Sequence, residues 1–389
     1  MSMFELCSVG RIVFGRGQLS RLGELAAPLG RTALVVANGS AELHQRVTEL
    51  LARAGLRAVI VRQHGEPTVD DVDRALNTAR QEGCDFVLGV GGGSAIDLAK
   101  AVAGLLTNGG SALDYLEVVG SGKKITRPAA PWIAVPCTAG TGAEATKNAV
   151  IGYPPGQFKA SLRSEHLLAR IALIDPELGV SVLPEITARC GMDALCQLIE
   201  AYTSKGAHPM TDALALEGLG RAARSLRRAC TNGADVDARE DMALAALLSG
   251  IALANAGLGA VHGLAAPLGA RCPVPHGAAC AALLPHVMAA NVAALRVADA
   301  THPVLARYAT VGRTLTAQSD LDAHAAVDAG IAWARDIARD LHIPPLRHFG
   351  LTPTDIPTLV TLAQKASSMR FNPVVLPGET LHAVLGQAL

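Results

Sequence analysis

DFVLGVGGGSAIDLAK, residues 85–100, reads as strand, glycine turn and helix in immediate succession. The unbroken apolar run before the glycines is that of a strand covered on both faces, as in a parallel sheet. Gly91, Gly92 and Gly93 permit backbone angles that other residues resist, and no side chain there blocks an anion from the amide groups. A helix beginning near Ser94 adds its positive end, so the turn suits a diphosphate. As a dinucleotide fingerprint it is imperfect. After Gly89 and Gly91 the pattern needs glycine at 94, where Ser94 stands, and the motif lies about ninety residues into the chain. A plain tight connection, with Ser94 and Asp97 forming a helix capping box, is the simpler alternative.

The same alternation extends on both sides. TALVVA (32–37), RAVIV (57–61), WIAVP (132–136) and IALID (171–175) are strand-like, with helical stretches near 41–54, 69–82 and 94–106. Strands alternating with helices predict a parallel sheet in a Rossmann-like α/β domain over residues 1–184. A second turn, CTAGTGAE (137–144), follows the strand at 132–136, and Thr138 and Thr141 offer hydroxyls beside exposed amides. Two such turns at the carboxyl ends of parallel strands face the crevice where open sheets bind ligands. A structural turn built on threonine hydroxyls is the competing reading.

After Pro184 strand signals stop, and Ala/Leu-rich helical patterns fill residues 185–389. The expectation is an all-helical second domain, with a cleft between the two. The uncharged run MALAALLSGIALANAGLGAV (242–261) is long enough for a membrane span. It is mostly Ala and Gly, contains Ser249 and Asn255, and lacks flanking Trp or Tyr, so a buried helix of a soluble domain is expected. With 34 basic and 34 acidic residues and no block of like charge, nothing suggests a nucleic-acid or anionic-membrane surface. The opening MSMFELCSVGRIVFG lacks a basic region followed by an apolar core, and eight cysteines form no C-x-x-C pair. Both features fit a cytoplasmic protein with reduced thiols.

GMDALCQLIEAY (191–202) and VHGLAAPLGARCPVPHG (261–277) carry the chemistry of the second domain. Asp193 and Gln197 stand four apart on one helix face, and His262 and His276 follow. Carboxylate and imidazole on facing helices build a divalent-metal site with an open position. Such a layout wants a third histidine at 197, where this chain has glutamine. Glu200 reads as a helix salt-bridge partner, His286 as a satisfied core histidine and His208 as a loop residue at a helix start. Cys137 and Cys196 have no adjacent base to activate them.

In family order, GGGSAIDLAK (91–100), TAGTGAE (138–144), Lys159, ALIDPEL (172–178), GMDAL…IEAY, HGLAAPLGA (262–270), PHGAACAALLPHVM (275–288) and Asn372-Pro373 span nearly the whole chain. This set resembles the iron-containing (group III) alcohol dehydrogenase family, of the dehydroquinate-synthase-like fold. The resemblance implies an NAD(P)-binding α/β domain, a helical domain, a divalent metal such as Fe²⁺ or Zn²⁺, and a homodimer or larger oligomer. It carries metal-ligand and catalytic roles to Asp193, His262 and His276, with Gln197 at the position of the remaining histidine ligand and expected as a weaker fourth metal ligand or a hydrogen-bond donor to metal-bound water. A further histidine that many members place near the nicotinamide is Ala266 here, so proton transfer is expected through water or the cofactor ribose. Gly91, Gly92, Gly93, Ser94, Asp97, Thr138, Thr141 and Lys159 match cofactor-binding positions. Asn38 stands where NAD-preferring members often have Asp; a neutral amide bonds a ribose hydroxyl without repelling a 2′-phosphate, so NAD is expected and NADP is possible. The implied reaction interconverts a small alcohol and its aldehyde or ketone. Alternatives are a metal-independent reductase of a carboxylate- or phosphonate-bearing aldehyde (maleylacetate reductase-like), a dehydroquinate-synthase-like lyase, and a non-catalytic nucleotide binder.

Overall fold

A computed structural model describes residues 3–156 and 158–389. The described residues divide into two compact units, one within 7–138 and 142–182, the other of residues 3–6, 139–141 and 183–389.

The first unit is built on a six-stranded sheet. Its strands are β1 (Ile12–Phe14), β2 (Thr32–Ala37), β3 (Arg57–Arg62), β4 (Phe86–Gly91), β5 (Trp132–Pro136) and, after a separate hairpin, β8 (Ile171–Ile174). The order is β1-β8-β5-β4-β2-β3 and every pairing is parallel. Helices α1 (Leu22–Ala26), α2 (Ala41–Arg53), α3 (Val69–Gln81), α4 (Gly93–Asn108) and α5 (Ala112–Tyr115) complete the α/β part. Local chemistry sets their starts: Ser40 accepts from the Leu43 amide, and Thr68 and Asp71 form a reciprocal capping box. The chain leaves β2 toward β3 but leaves β4 toward β5, in opposite directions along the sheet. The carboxyl ends of the adjacent β2 and β4 therefore form the topological switch point, where open α/β sheets bind ligands.

Two features were not anticipated. Strand β1 has only three residues and is recognised by its pairing with β8. An antiparallel hairpin of β6 (Asn148–Tyr153) and β7 (Phe158–Arg163) lies outside the main sheet. Its side chains do alternate, with Ala149 and Ile151 buried and Val150 exposed, but Pro154 and Pro155 interrupt the pattern.

The second unit is helical: α6 (Pro184–Thr203), α7 (Pro209–Thr231), α8 (Val236–Ala256), α9 (Ala260–Arg271), α10 (His276–Ala298), α11 (Pro303–Thr316), α12 (Ala323–Asp340), α13 (Ile356–Ala363) and α14 (Gly378–Gln387). One contiguous core of Ala, Leu, Val and Met joins them. The uncharged run 242–261 is not a single helix. It is the end of α8 and the start of α9, which meet at a bend of 100°. Helix α10 is long and apolar enough to cross a bilayer, but 67% of its apolar window is buried inside the protein, as a core helix requires.

Candidate functional site

In the α/β unit, backbone and side-chain bonds lace three strand ends together. The Asn38 amide donates to the Val90 carbonyl at 3.0 Å, and Cys137 N donates to the Gly91 carbonyl at 2.8 Å. Gly92 N donates to Asn38 Oδ1 at 2.8 Å, which fixes which end of the Asn38 amide is oxygen. Gly91 has φ +139°, and a Cβ there would lie 1.9 Å from Asn38 Oδ1; only glycine fits. Thr138 Oγ1 lies 3.4 Å from where a Cβ on Gly92 would stand, so the two turns are neighbours.

Helix α4 starts at Gly93 with Gly92 as its N-cap and no side-chain cap. The first-turn amides of Gly93 and Ser94 have no acceptor within the helix and are left for an anion. The capping box of Ser94 and Asp97, the alternative reading, does not form. Asp97 instead accepts from Val150 N of β6 at 3.0 Å and lies 3.6 Å from Lys100 Nζ. Lys100 is fully buried and donates to the carbonyls of Ala143 and Asn148 and to Thr146 Oγ1, at 2.7–2.8 Å. It thereby fixes α4 against the segment that follows the second turn. Burial pushes the neighbouring Glu144 carboxyl up to about 7. Lys159, on β7, is ion-paired with Glu66. Thr141 belongs to the short stretch 139–141 that groups with the helical unit.

In the helical unit, α6, α9 and α10 bring Asp193, His262, His276 and Cys280 together, with one donor atom of each within 4.8 Å of all the others. His262 Nε2 is 3.3 Å and His276 Nε2 3.6 Å from Asp193 Oδ1. Cys280 Sγ is 3.8 Å from His262 Nε2 and 3.7 Å from His276 Nε2. A tetrahedral ion about 2.0–2.1 Å from nitrogen or oxygen and about 2.3 Å from sulfur spaces its N and O donors about 3.3 Å apart. The same ion spaces nitrogen and sulfur about 3.6 Å apart. The four side chains fit a divalent cation.

The elements explain why these atoms meet. Gly277 lets α10 start against α6: a Cβ there would lie 2.1 Å from the Arg189 carbonyl oxygen. The start of α9 is held by two buried side chains. Ala260 N donates to Asn372 Oδ1 at 3.0 Å, and Val261 N donates to Glu200 Oε1 at 2.6 Å. Glu200 Oε2 also meets His262 Nδ1 at 2.6 Å. Glu200 is thus not a helix salt-bridge partner but the carboxylate that orients His262. It holds a proton on Nδ1, so Nε2, the nitrogen that faces the cluster, is the one that would give up its proton to a cation.

Charges in the cluster are interdependent. Burial works against the Asp193 carboxylate, but the His276 and His262 imidazoles hold its pKa below the ordinary carboxylate range. Cys280, mainly, lifts His276 to about 9. The histidines in turn bring the Cys280 thiol below its ordinary value, against the opposing effect of burial. His262 too is raised well above the ordinary imidazole range by Cys280, Asp193 and Glu200, against the effect of burial. Both histidines therefore carry positive charge, which a bound cation would replace. Three members are almost fully buried, whereas the His276 side chain is 40% exposed and marks the accessible side.

Cys280 was missed in the sequence, although it stands one turn after His276 on α10. Gln197 lies one turn after Asp193 with Oε1 2.7 Å from Ser249 Oγ of α8. The other residues weighed earlier lie elsewhere. His286 is partnered by Gln387 at 3.1 Å but only half-buried, and His208 is buried, stacked on Phe4 at 4.3 Å between ring centroids. Burial pushes the Cys137 thiol up to about 12 and raises Cys196 as well, so neither is an activated nucleophile. Ala266, four residues after His262, brings no titratable group.

The comparisons agree with this anatomy. The family model for iron-containing alcohol dehydrogenase matches residues 10–176, and that for the C-terminal part of the Fe-containing alcohol dehydrogenase family matches 187–389. Choline dehydrogenase of Bacillus subtilis (strain 168) is 35% identical over 376 residues, 95% of this chain and 90% of that protein. The NAD-dependent methanol dehydrogenase of Bacillus methanolicus is 32% identical over 384 residues, 97% of each. A solved 1,3-propanediol oxidoreductase matches over 100% of both chains with a TM-score of 0.92 and 32% identity. With both halves matched in order, this chain belongs to the iron-containing alcohol dehydrogenase family and is an NAD-dependent alcohol dehydrogenase-type enzyme.

Proposed function

We propose that the protein interconverts a small alcohol and its aldehyde or ketone, with hydride exchanged to a nicotinamide cofactor and the substrate oxygen held at the Asp193, His262 and His276 cluster. The observation that carries this reading is the convergence of those donors, with His262 locked by Glu200 into the tautomer that can ligate. A divalent ion bound there supplies Lewis acidity, polarising a carbonyl or lowering the pKa of an alcohol. Asp193 and the two Nε2 atoms would hold the ion. His276, exposed on one side, borders the path by which substrate oxygen reaches it.

On the cofactor side, the amides of Gly93 and Ser94 take the diphosphate, with Gly91, Gly92, Thr138 and Thr141 shaping the turns around it. Lys159 adds positive charge, moderated by Glu66. Asn38 keeps its oxygen on Gly92 N and so offers its NH₂ group to the adenosine ribose. A donor at that point accepts either a 2′-hydroxyl or a 2′-phosphate, so NAD(H) serves and NADP(H) is tolerated. No protein base adjoins the cluster at position 266, and the proton leaves through water or the cofactor ribose. Among the described residues no cysteine is in a disulfide, which suits a reducing cytoplasm, and self-association to at least a dimer belongs to the same reading.

The test is a panel of small aldehydes and alcohols with NAD(H) and NADP(H), before and after a chelator, with Fe²⁺ or Zn²⁺ restored. The reading expects turnover that the chelator abolishes and the metal restores. Full activity in stripped protein and in His276→Ala would replace it with the metal-independent reductase.

A further inference from the structure

We propose that Cys280 is the fourth protein donor of the metal site, in place of residue 197, and that its thiolate makes the site select Zn²⁺ over Fe²⁺. The inference rests on the metal-dependent reading above and goes beyond it in naming the donor and the ion.

Three observations converge. First, Cys280 Sγ stands nearly equidistant from the two Nε2 atoms, 3.8 and 3.7 Å, close to the edge between nitrogen and sulfur around a tetrahedral ion. Helix geometry makes this possible: His276 and Cys280 are four residues apart and share a face of α10. Second, Gln197 is tied to another partner. Its amide meets Ser249 Oγ at 2.7 Å, and that hydroxyl is in turn 2.8 Å from the Ala246 carbonyl. The amide therefore bridges α6 to α8. Third, Cys280 is fully buried inside the cluster and offers a cation a thiolate, where Gln197 would offer only a neutral amide oxygen, the poorer donor for zinc.

A set of one carboxylate, two imidazoles and one thiolate is softer than one of a carboxylate and three imidazoles. Thiolate ligands select zinc, and zinc also outranks ferrous iron in the general affinity order. The chain thus loses a nitrogen donor on α6 and gains a sulfur donor on α10, keeping the number of protein ligands while changing their character.

The experiment uses the full chain, stripped of metal and loaded with Co²⁺ or Zn²⁺ alone. Cobalt bound to a thiolate gives an intense sulfur-to-metal charge-transfer band in the near ultraviolet, beside the weaker visible bands of any tetrahedral cobalt site. Wild type and Gln197→Ala should show both sets; Cys280→Ser should keep the visible bands, lose the ultraviolet band and weaken zinc binding by more than about tenfold. X-ray absorption at the zinc edge of the wild type should show one sulfur at about 2.3 Å, so the test stands even where Cys280→Ser does not fold. Equal loading from mixed Zn²⁺ and Fe²⁺ would overturn the selectivity. Bound metal without a sulfur shell would overturn Cys280 as ligand and leave the metal-dependent reading intact, whereas no metal binding at all would overturn both.

Discussion

Replacing Glu200 with glutamine isolates what one carboxylate does for the metal site. Glu200 Oε2 meets His262 Nδ1 and Oε1 accepts from Val261 N, each at 2.6 Å. Glutamine keeps the length but offers one acceptor and one donor. The positive end of α9 and the Val261 amide favour the oxygen on their side, which turns the NH₂ group toward Nδ1. His262 must then present a lone pair at Nδ1 and carry its proton on Nε2, the atom that faces Asp193 and Cys280. Binding a cation requires returning that proton to Nδ1 against a donor, forfeiting a charge-assisted hydrogen bond worth roughly 1.5–3 kcal/mol. At about 1.4 kcal/mol per factor of ten, zinc affinity should fall roughly ten- to a hundredfold. The assay is competition for Zn²⁺ between metal-stripped protein and a chromophoric chelator, with circular dichroism as a check on folding. Unchanged zinc affinity in a folded Glu200→Gln variant would refute the tautomer argument.

Other outcomes follow from the α/β unit. Gly91→Ala should abolish cofactor binding with helix content retained, because its Cβ would fall 1.9 Å from Asn38 Oδ1; quenching of NADH fluorescence reads this directly, and intact affinity would place the diphosphate elsewhere. Asn38→Asp should keep the bond from Gly92 N but repel a 2′-phosphate, lowering kcat/KM for NADP(H) by at least about tenfold while leaving NAD(H) nearly unchanged. Glu144 should make stability fall with rising pH. Its folded carboxyl titrates near 7 rather than the ordinary 4.5, so between those values the folded state holds more proton than the unfolded. At 1.36 kcal/mol per pH unit the effect approaches about 3 kcal/mol. Urea unfolding should therefore find Glu144→Gln increasingly more stable than wild type from pH 4.5 to 8, and a pH-independent difference would contradict the assignment.

Much of the fold was legible because local and global signals agree. TALVVA, DFVLGV and WIAVP are unbroken apolar runs, and they became β2, β4 and β5, paired in parallel and almost wholly buried. What escaped notice depends on long-range pairing. Three residues of β1 have no periodicity to read, and their place is set by β8, about 160 residues away. The run 242–261 failed differently. Its composition says buried, which is correct for most of its length, but composition carries no signal of a 100° bend, and that bend is what directs His262 inward from the start of α9.

The candidate metal site divides along the same line. Asp193, His262 and His276 lie on three different helices with no spacing to link them, and they were visible through the motifs that carry them, GMDAL, HGLAAPLGA and PHGAA. Glu200 and Cys280 were visible only as letters. Glu200 shares a helix with Asp193, and its spacing suits a surface ion pair equally well; only the approach of α9 gives it His262 Nδ1 as a partner. Cys280 lies among alanines in PHGAACAALL, where a cysteine reads as a small apolar residue. What distinguishes it is that α10 starts close enough to α6, across Gly277, to bring the face carrying His276 and Cys280 toward Asp193. A glutamine at 197 looks like a lost ligand when α6 is read alone. With α10 packed beside it, four side chains able to ligate a cation still converge, Cys280 among them.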